Sequence, residues 1–150
     1  QKNINIQNKK ARFEFEILDK FVAGIQLTGT EIKSIRLSQA RITESFCEFN
    51  ERGELFIVNM YIQEYLFGHH FNHKPKSERR LLLNKRELRS LRKDVEAKGN
   101  TIVPLRLFIN DNGFAKLEIA LAKGKQTHDK REVIKDRDNK RDLARIKKNF

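Results

Sequence analysis

The chain has 150 residues, 38% hydrophobic and 35% charged, against about 25% charged in an average globular domain. Its 32 Lys+Arg and 20 Asp+Glu leave a net charge of +12, so an anionic partner is expected, nucleic acid ahead of a membrane surface. A single cysteine, Cys47, excludes an internal disulfide framework and fits a reducing, cytoplasmic setting. The longest apolar runs, such as Phe56–Val58 and Leu81–Leu83, fall far short of the ~20 residues of a membrane span. The opening residues Gln1-Lys2-Asn3-Ile4-Asn5 lack the apolar stretch of a signal peptide.

Taken in chain order, Arg12 to Leu18 alternates charged and apolar residues, the period of a half-buried strand. Asp19-Lys20 is read as a tight connection to a second strand, Phe21–Leu27, with Gly24 as a bulge or close-approach point. Thr28-Gly29-Thr30-Glu31 has the form of a capping box and starts a helix with Ile32 and Ile35 on one face and Lys33 and Arg36 off it. Arg41–Asn50 and Leu55–Ile62 read as strands joined by a turn at Glu51-Arg52-Gly53. Asn84-Lys85-Arg86-Glu87 repeats the capping device ahead of a helix carrying Leu88, Leu91 and Val95. Thr101–Ile109 and Phe114–Ala122 form a hairpin about Asn110-Asp111-Asn112-Gly113, with Ala115, Leu117, Ile119 and Leu121 on one face. Six strands with two short helices predict a mainly β fold, an OB-like antiparallel six-stranded barrel over residues 1–122. Residues 123–150 hold too few apolar side chains to offset ordering entropy and read as a basic tail, disordered alone and able to become helical on a partner.

The charge is concentrated. Residues 1–73 are neutral overall, 74–93 carry +7, 94–122 carry −1 and 123–150 carry +6. Two basic blocks, one on the body and one on the tail, predict two phosphate-contacting surfaces. Catalytic readings fare poorly. His69, His70 and His73 lie in a loop with no cysteine pair or His-Glu-x-x-His pattern to complete a zinc site, and read as polar or RNA-contacting loop histidines. Cys47 sits within a strand as a small core residue, and His128-Asp129 has no Ser or Cys nucleophile beside it in a motif. Glu14 and Glu16 occupy the outer face of a strand. No cofactor, metal, small-molecule substrate or enzymatic activity is expected. The 11 Phe residues are expected mainly in the core rather than as a base-stacking platform.

Several motifs then fall in order: Asn8-Lys9-Lys10-Ala11-Arg12, Ala23 to Arg36, Asn72-His73-Lys74-Pro75, Arg80 to Glu87, Gly99 to Leu105, and Ala122 to Arg131. Over residues 8–148 the chain closely resembles the bacterial SsrA-binding protein family, SmpB. The resemblance implies an OB-like barrel that binds the tRNA-like domain of transfer-messenger RNA and accompanies it to stalled ribosomes. It further implies that the tail enters the vacant message channel near the decoding centre. A ribosomal protein or initiation-type OB-fold factor is the alternative. By motif position, Asn8, Lys9, Lys10, Lys33, Arg36, Arg79, Arg80, Leu82 and Lys85 would face the tRNA-like domain, while Glu31 reads as the capping residue. Lys123, Gly124, Lys125, His128, Asp129, Lys130 and Arg131 would engage the ribosome. The chain departs from the family at Val22, where an acidic residue usually precedes Ala-Gly, and at Lys76-Ser77-Glu78-Arg79-Arg80, where an x-Arg-x-Arg-Lys pattern is usual.

Overall fold

A computed structural model describes residues 3–68, 71–97 and 99–125 of the chain. A short strand β1 (Asn5–Gln7) leads to Asn8, whose side chain accepts a hydrogen bond from the Ala11 backbone N–H at 3.2 Å and so starts helix α1 (Lys9–Glu14). The expected strand therefore loses its first three residues, Arg12 to Glu14, to a helix nucleated upstream. Strand β2 (Phe15–Ile25) then runs unbroken. Asp19 and Lys20 do not turn; they stay in the ladder opposite Leu121 and Ala120, and the irregularity is a bulge between Ile17 and Asp19. Gly24 is in regular register, opposite Leu82 on one side and Lys116 on the other.

Both capping boxes form. Thr28 caps α2 (Gly29–Arg36), with Glu31 returning a carboxylate to the Thr28 N–H at 2.9 Å. The two expected middle strands break into pairs: β3 (Ala40–Arg41) and β4 (Phe46–Phe49), then β5 (Leu55–Val58) and β6 (Tyr61–Ile62). The second break is at Asn59, which adopts φ 65° and donates its side-chain amide to the Glu44 carbonyl at 3.0 Å. That left-handed conformation suits Asn and interrupts a run whose β propensity is otherwise continuous. Strand β7 (Arg79–Leu82) comes from a segment not assigned to a strand by its sequence, and Asn84 caps α3 (Lys85–Val95) directly after it. β8 (Asn100–Ile109) and β9 (Ala115–Gly124) make the expected hairpin, with Gly113 at φ 85° in its turn. β9 continues two residues past the 122/123 boundary.

The strands close into a ring in the order β8-β4-β5-β7-β2-β9, with β9 pairing back onto β8 and β1 added at the far end of β8. Six antiparallel strands in a ring, with α3 following β7, give the expected OB-like barrel, but the membership differs. β2 replaces two expected strands and β7 restores the count. The core is aliphatic: Ile35, Leu55, Ile57, Met60, Ile62, Leu81, Leu91, Leu107, Leu117 and Ile119 are among its fully buried members. No phenylalanine among the described residues is fully buried, contrary to expectation; Phe67, Phe71 and Phe114 are exposed. Inward positions of a small closed barrel admit branched aliphatics more easily than rings. Ala11, Val103, Leu105, Ala120 and Ala122 form a second, smaller core under α1. Asn8 secures that helix, donating its amide to the Pro104 carbonyl at 2.9 Å.

One buried ion pair ties the remaining pieces together. Arg79 Nε meets Glu31 Oε2 at 2.6 Å, with side chains only 2% and 5% exposed. Arg79 also donates to the carbonyls of Met60 at 2.6 Å, Lys74 at 3.2 Å and Pro75 at 3.1 Å. His73, buried beside it, contacts Thr30 Oγ1 through Nδ1 at 3.0 Å and the Ile62 carbonyl through Nε2 at 2.9 Å. Asn72 holds Tyr65 at both backbone groups, accepting from its N–H at 3.1 Å and donating to its carbonyl at 2.8 Å. The loop between β6 and β7 is thus fastened to α2. Removing one partner of such a pair strands the other charge, so Arg79→Ala should lower the unfolding free energy by about 3–5 kcal/mol in urea titration. A change below about 0.5 kcal/mol, the size typical of a surface site, would show that the clamp carries no load. Asn8→Ala should cost about 1–2 kcal/mol and speed amide hydrogen exchange in α1 first, leaving the β8–β9 hairpin protected.

Candidate RNA interface

At one end of the barrel, α2, the end of β2, β7 and the β8–β9 turn enclose an open cleft of about 380 Å³. Gly24, Ile25, Leu27 and Ile32 line its floor, Leu82 and Phe114 stand exposed at its edge, and Arg36 and Lys116 supply positive charge. Gly24 lies between Leu82 and Lys116 on the neighbouring strands, and a Cβ there would meet Leu82 Cβ at 3.5 Å and Lys116 Nζ at 3.7 Å, ordinary contact distances. Apolar side chains for a base or sugar face with two cations for phosphate match what a folded RNA presents. Val22, two residues earlier on β2, is also exposed and stands opposite Glu118, itself paired with Arg106 at 3.5 Å.

The residues picked out by motif divide among different places. Leu82 and Arg36 belong to this cleft. Lys33, on the same helix, is exposed and lies 5.5 Å from the Tyr65 ring, facing the clamped loop. Arg80 is half-buried and paired with Glu54 at 3.1 Å, and Lys85 is exposed in the first turn of α3. Glu54 is held below the usual carboxylate range, chiefly by the Asn50 amide at 2.7 Å and further by Arg80.

Three expectations need correction. Arg79 is not on the surface: its guanidinium is committed to Glu31 and to backbone carbonyls, so it shapes the surface from beneath. Asn8 is likewise buried, at 3% exposure, and works as a cap and as the anchor of α1. His73 is a buried loop fastener rather than an RNA-contacting histidine. Lys9 and Lys10 are exposed on α1, at the opposite end of β2 from Gly24 and apart from Arg36 and Leu82. Lys10 pairs there with Glu44 at 3.2 Å, and that hydrogen bond and charge raise its pKa.

The root of the tail is at this second end. Phe15 pairs with Gly124 and Glu16 with Lys123, and the Lys125 N–H donates to the Glu14 carbonyl at 3.0 Å. Lys123 and Gly124 are therefore strand residues, and the chain leaves the barrel beside α1. His128, Asp129, Lys130 and Arg131 lie outside the described residues, as do His69 and His70. Cys47 is buried in β4, and burial pushes its thiol pKa up, away from nucleophilic use. Among the described residues no group of three or more His, Cys, Asp or Glu side chains could hold a metal ion. No described helix is long and apolar enough to cross a membrane.

Lys116 and Phe114 escaped the sequence reading. Lys116 appeared only as an outward residue of β9, and Phe114 as one more strand aromatic. The available signal was the bulky apolar residue directly after an Asn-Gly turn, where a strand has not yet entered the core.

The family model described as SmpB protein matches residues 5–149. The SsrA-binding protein of Flavobacterium psychrophilum is 69% identical over 149 residues, covering 99% of each chain. That of Brucella anthropi is 53% identical over 145 residues, covering 97% of this chain and 91% of its own. A solved chain described under "tmRNA-SmpB: a journey to the center of the bacterial ribosome" is 43% identical, covers 87% of this chain and 94% of its own, and superposes with a TM-score of 0.69. With the OB-like barrel, the cleft residues and a match across almost every position, the chain belongs to the SmpB family of SsrA-binding proteins.

Proposed function

We propose that this protein is the RNA-binding adaptor of trans-translation in the bacterial cytoplasm. It captures the tRNA-like domain of transfer-messenger RNA at the Leu82 cleft, delivers that RNA to a stalled ribosome and lays its tail in the vacant message channel near the decoding centre. The relatives' name and the solved neighbour's association of SmpB with tmRNA and the ribosome support both partners. The family match runs through the tail to residue 149, which favours an adaptor over a ribosomal protein or initiation-type factor. The protein acts by binding alone; no residue is assigned a catalytic role.

The observation that carries the division of labour is strand β9. Lys116 lies at the cleft and Gly124 at the tail root, and the strand between them spans roughly 27 Å at about 3.4 Å per residue. One RNA surface and one ribosome surface at opposite ends of a rigid element can be occupied together. The tail residues Lys125, His128, Lys130 and Arg131 then supply phosphate contacts and a ring able to stack on an exposed base.

A chain ending at Lys125 should bind the tRNA-like RNA as the full chain does, yet abolish tagging of nascent chains on stalled ribosomes. Leu82→Asp and Lys116→Glu should each act at capture instead, lowering RNA affinity by roughly tenfold or more, and tagging with it, while the barrel melts normally. Equal loss of RNA capture and tagging in the truncated chain would refute the two-ended reading.

A further inference from the structure

Helix α3 carries a feature that neither the cleft nor the tail uses. Of its 11 residues, Lys85, Arg86, Arg89, Arg92 and Lys93 are cationic and all five are exposed. Leu88, Leu91 and Val95 turn to the core, which at 100° per residue sets Arg86, Arg89 and Lys93 in a row on the solvent side. Glu87 and Asp94 fall on the other flank, neither of them three or four residues from a cation of the helix. Glu87 is already engaged with Asn84 in the capping box. Four ion pairs form among the described residues, and no α3 cation takes part in any, including towards Glu96 at the C-cap. Arg92 rests against the β4–β5 turn, 2.8 Å from where a Gly53 Cβ would sit. The row at Arg86, Arg89 and Lys93 has no such support.

An ordinary solvated helix face mixes signs at i,i+3 and i,i+4 and gains a few tenths of a kcal/mol from each pair. Here those spacings bring like charges together, Lys85 with Arg89, Arg86 with Arg89 and Arg89 with Lys93. The row therefore works against the helix that displays it. Its position gives it a use. The helix begins three residues after Leu82, which lines the cleft, and its other end is tied to Asn100, whose side chain donates to the Asp94 carbonyl at 2.9 Å. Asn100 pairs with Lys123 at the tail root.

We propose that the Arg86–Arg89–Lys93 face of α3 is a further RNA-binding surface, a track for the phosphate backbone of the same folded RNA that occupies the Leu82 cleft, leading from that cleft towards the tail root. This rests on the adaptor reading and adds to it a third contact surface on the body. The row reads backbone only: three cations on one helix face meet phosphates and carry no base selectivity.

The test uses the full chain with Arg86→Gln, Arg89→Gln and Lys93→Gln combined, since Gln keeps helix propensity and removes the charge. Binding of the isolated tRNA-like RNA is titrated from 50 to 300 mM salt, with an unrelated RNA duplex as control and melting followed in parallel. The plot of log affinity against log salt should become shallower by about 2–3, one phosphate per cation, while the melting temperature stays equal or rises as repulsion is relieved. An unchanged slope overturns the proposal. So does a lowered melting temperature with unchanged RNA binding, or a loss seen only on ribosomes with the isolated RNA bound normally. A wild-type chain that does not prefer the tRNA-like RNA to the duplex overturns the adaptor reading instead, before the variant is considered.

Discussion

The Arg79–Glu31 pair is the contact on which the cleft end of the barrel depends. Two charges buried together lose hydration that their mutual attraction recovers only with good geometry and further hydrogen bonds. Both conditions are met: the guanidinium adds three backbone carbonyls to its carboxylate, and the carboxylate's other oxygen closes the α2 cap at the Thr28 N–H. One interaction thereby fixes the start of α2, the end of the β6–β7 loop and the start of β7. Arg36 and Leu82, which approach each other across the cleft, hang from the two elements so joined. A residue can thus govern RNA binding without touching RNA. For this reason charge removal at Arg79 and at Arg36 should be told apart by stability before their RNA affinities are compared.

What the sequence made legible was local. Both capping boxes and the Asn110–Gly113 hairpin turn form as read, because each needs only residues three or four positions apart. The ring of six strands followed from counting elements. The errors lie where distant contacts decide. Arg79 looked like one more cation in a +7 block, and its burial is fixed by Glu31, 48 residues away. Asn8 looked like part of a basic run, yet its partner is the Pro104 carbonyl, 96 residues away. The period-two pattern at Arg12–Leu18 was real, but a side-chain cap and a buried Ala11 outcompeted it at its start. The cleft was half legible. Leu82 and Arg36 carried motif signals, whereas Lys116 is recognisable only once Gly24 is seen opposite it.

The net charge of +12 has also changed meaning. Part of it is internal: Arg79 is buried, and Arg80, Arg106 and Lys10 are each partnered by a carboxylate. Among the described cations in no such pair, five lie along α3, Arg36 and Lys116 at the cleft and Lys123 and Lys125 at the tail root, while others, such as Lys20, Arg41 and Lys74, lie elsewhere on the barrel. The phenylalanines shift in the opposite sense. With an aliphatic interior filling the barrel, Phe114 is left outside, exposed at the cleft.

A rigid body between two grips has a thermodynamic consequence. When one partner is bound, the second contact becomes intramolecular, and its strength is set by how well the spacing of the grips matches the spacing of the sites. A flexible linker would spread that spacing over many values. Here the spacing is built into β9, which is hydrogen-bonded on both edges, to β2 and to β8, along nearly its whole length. Each grip can then be weak enough to release its partner while the pair together remains selective. Lengthening the chain just after Lys125 with a flexible insert should therefore weaken rescue gradually, whereas disrupting the β2–β9 ladder should abolish it while leaving the tail sequence intact.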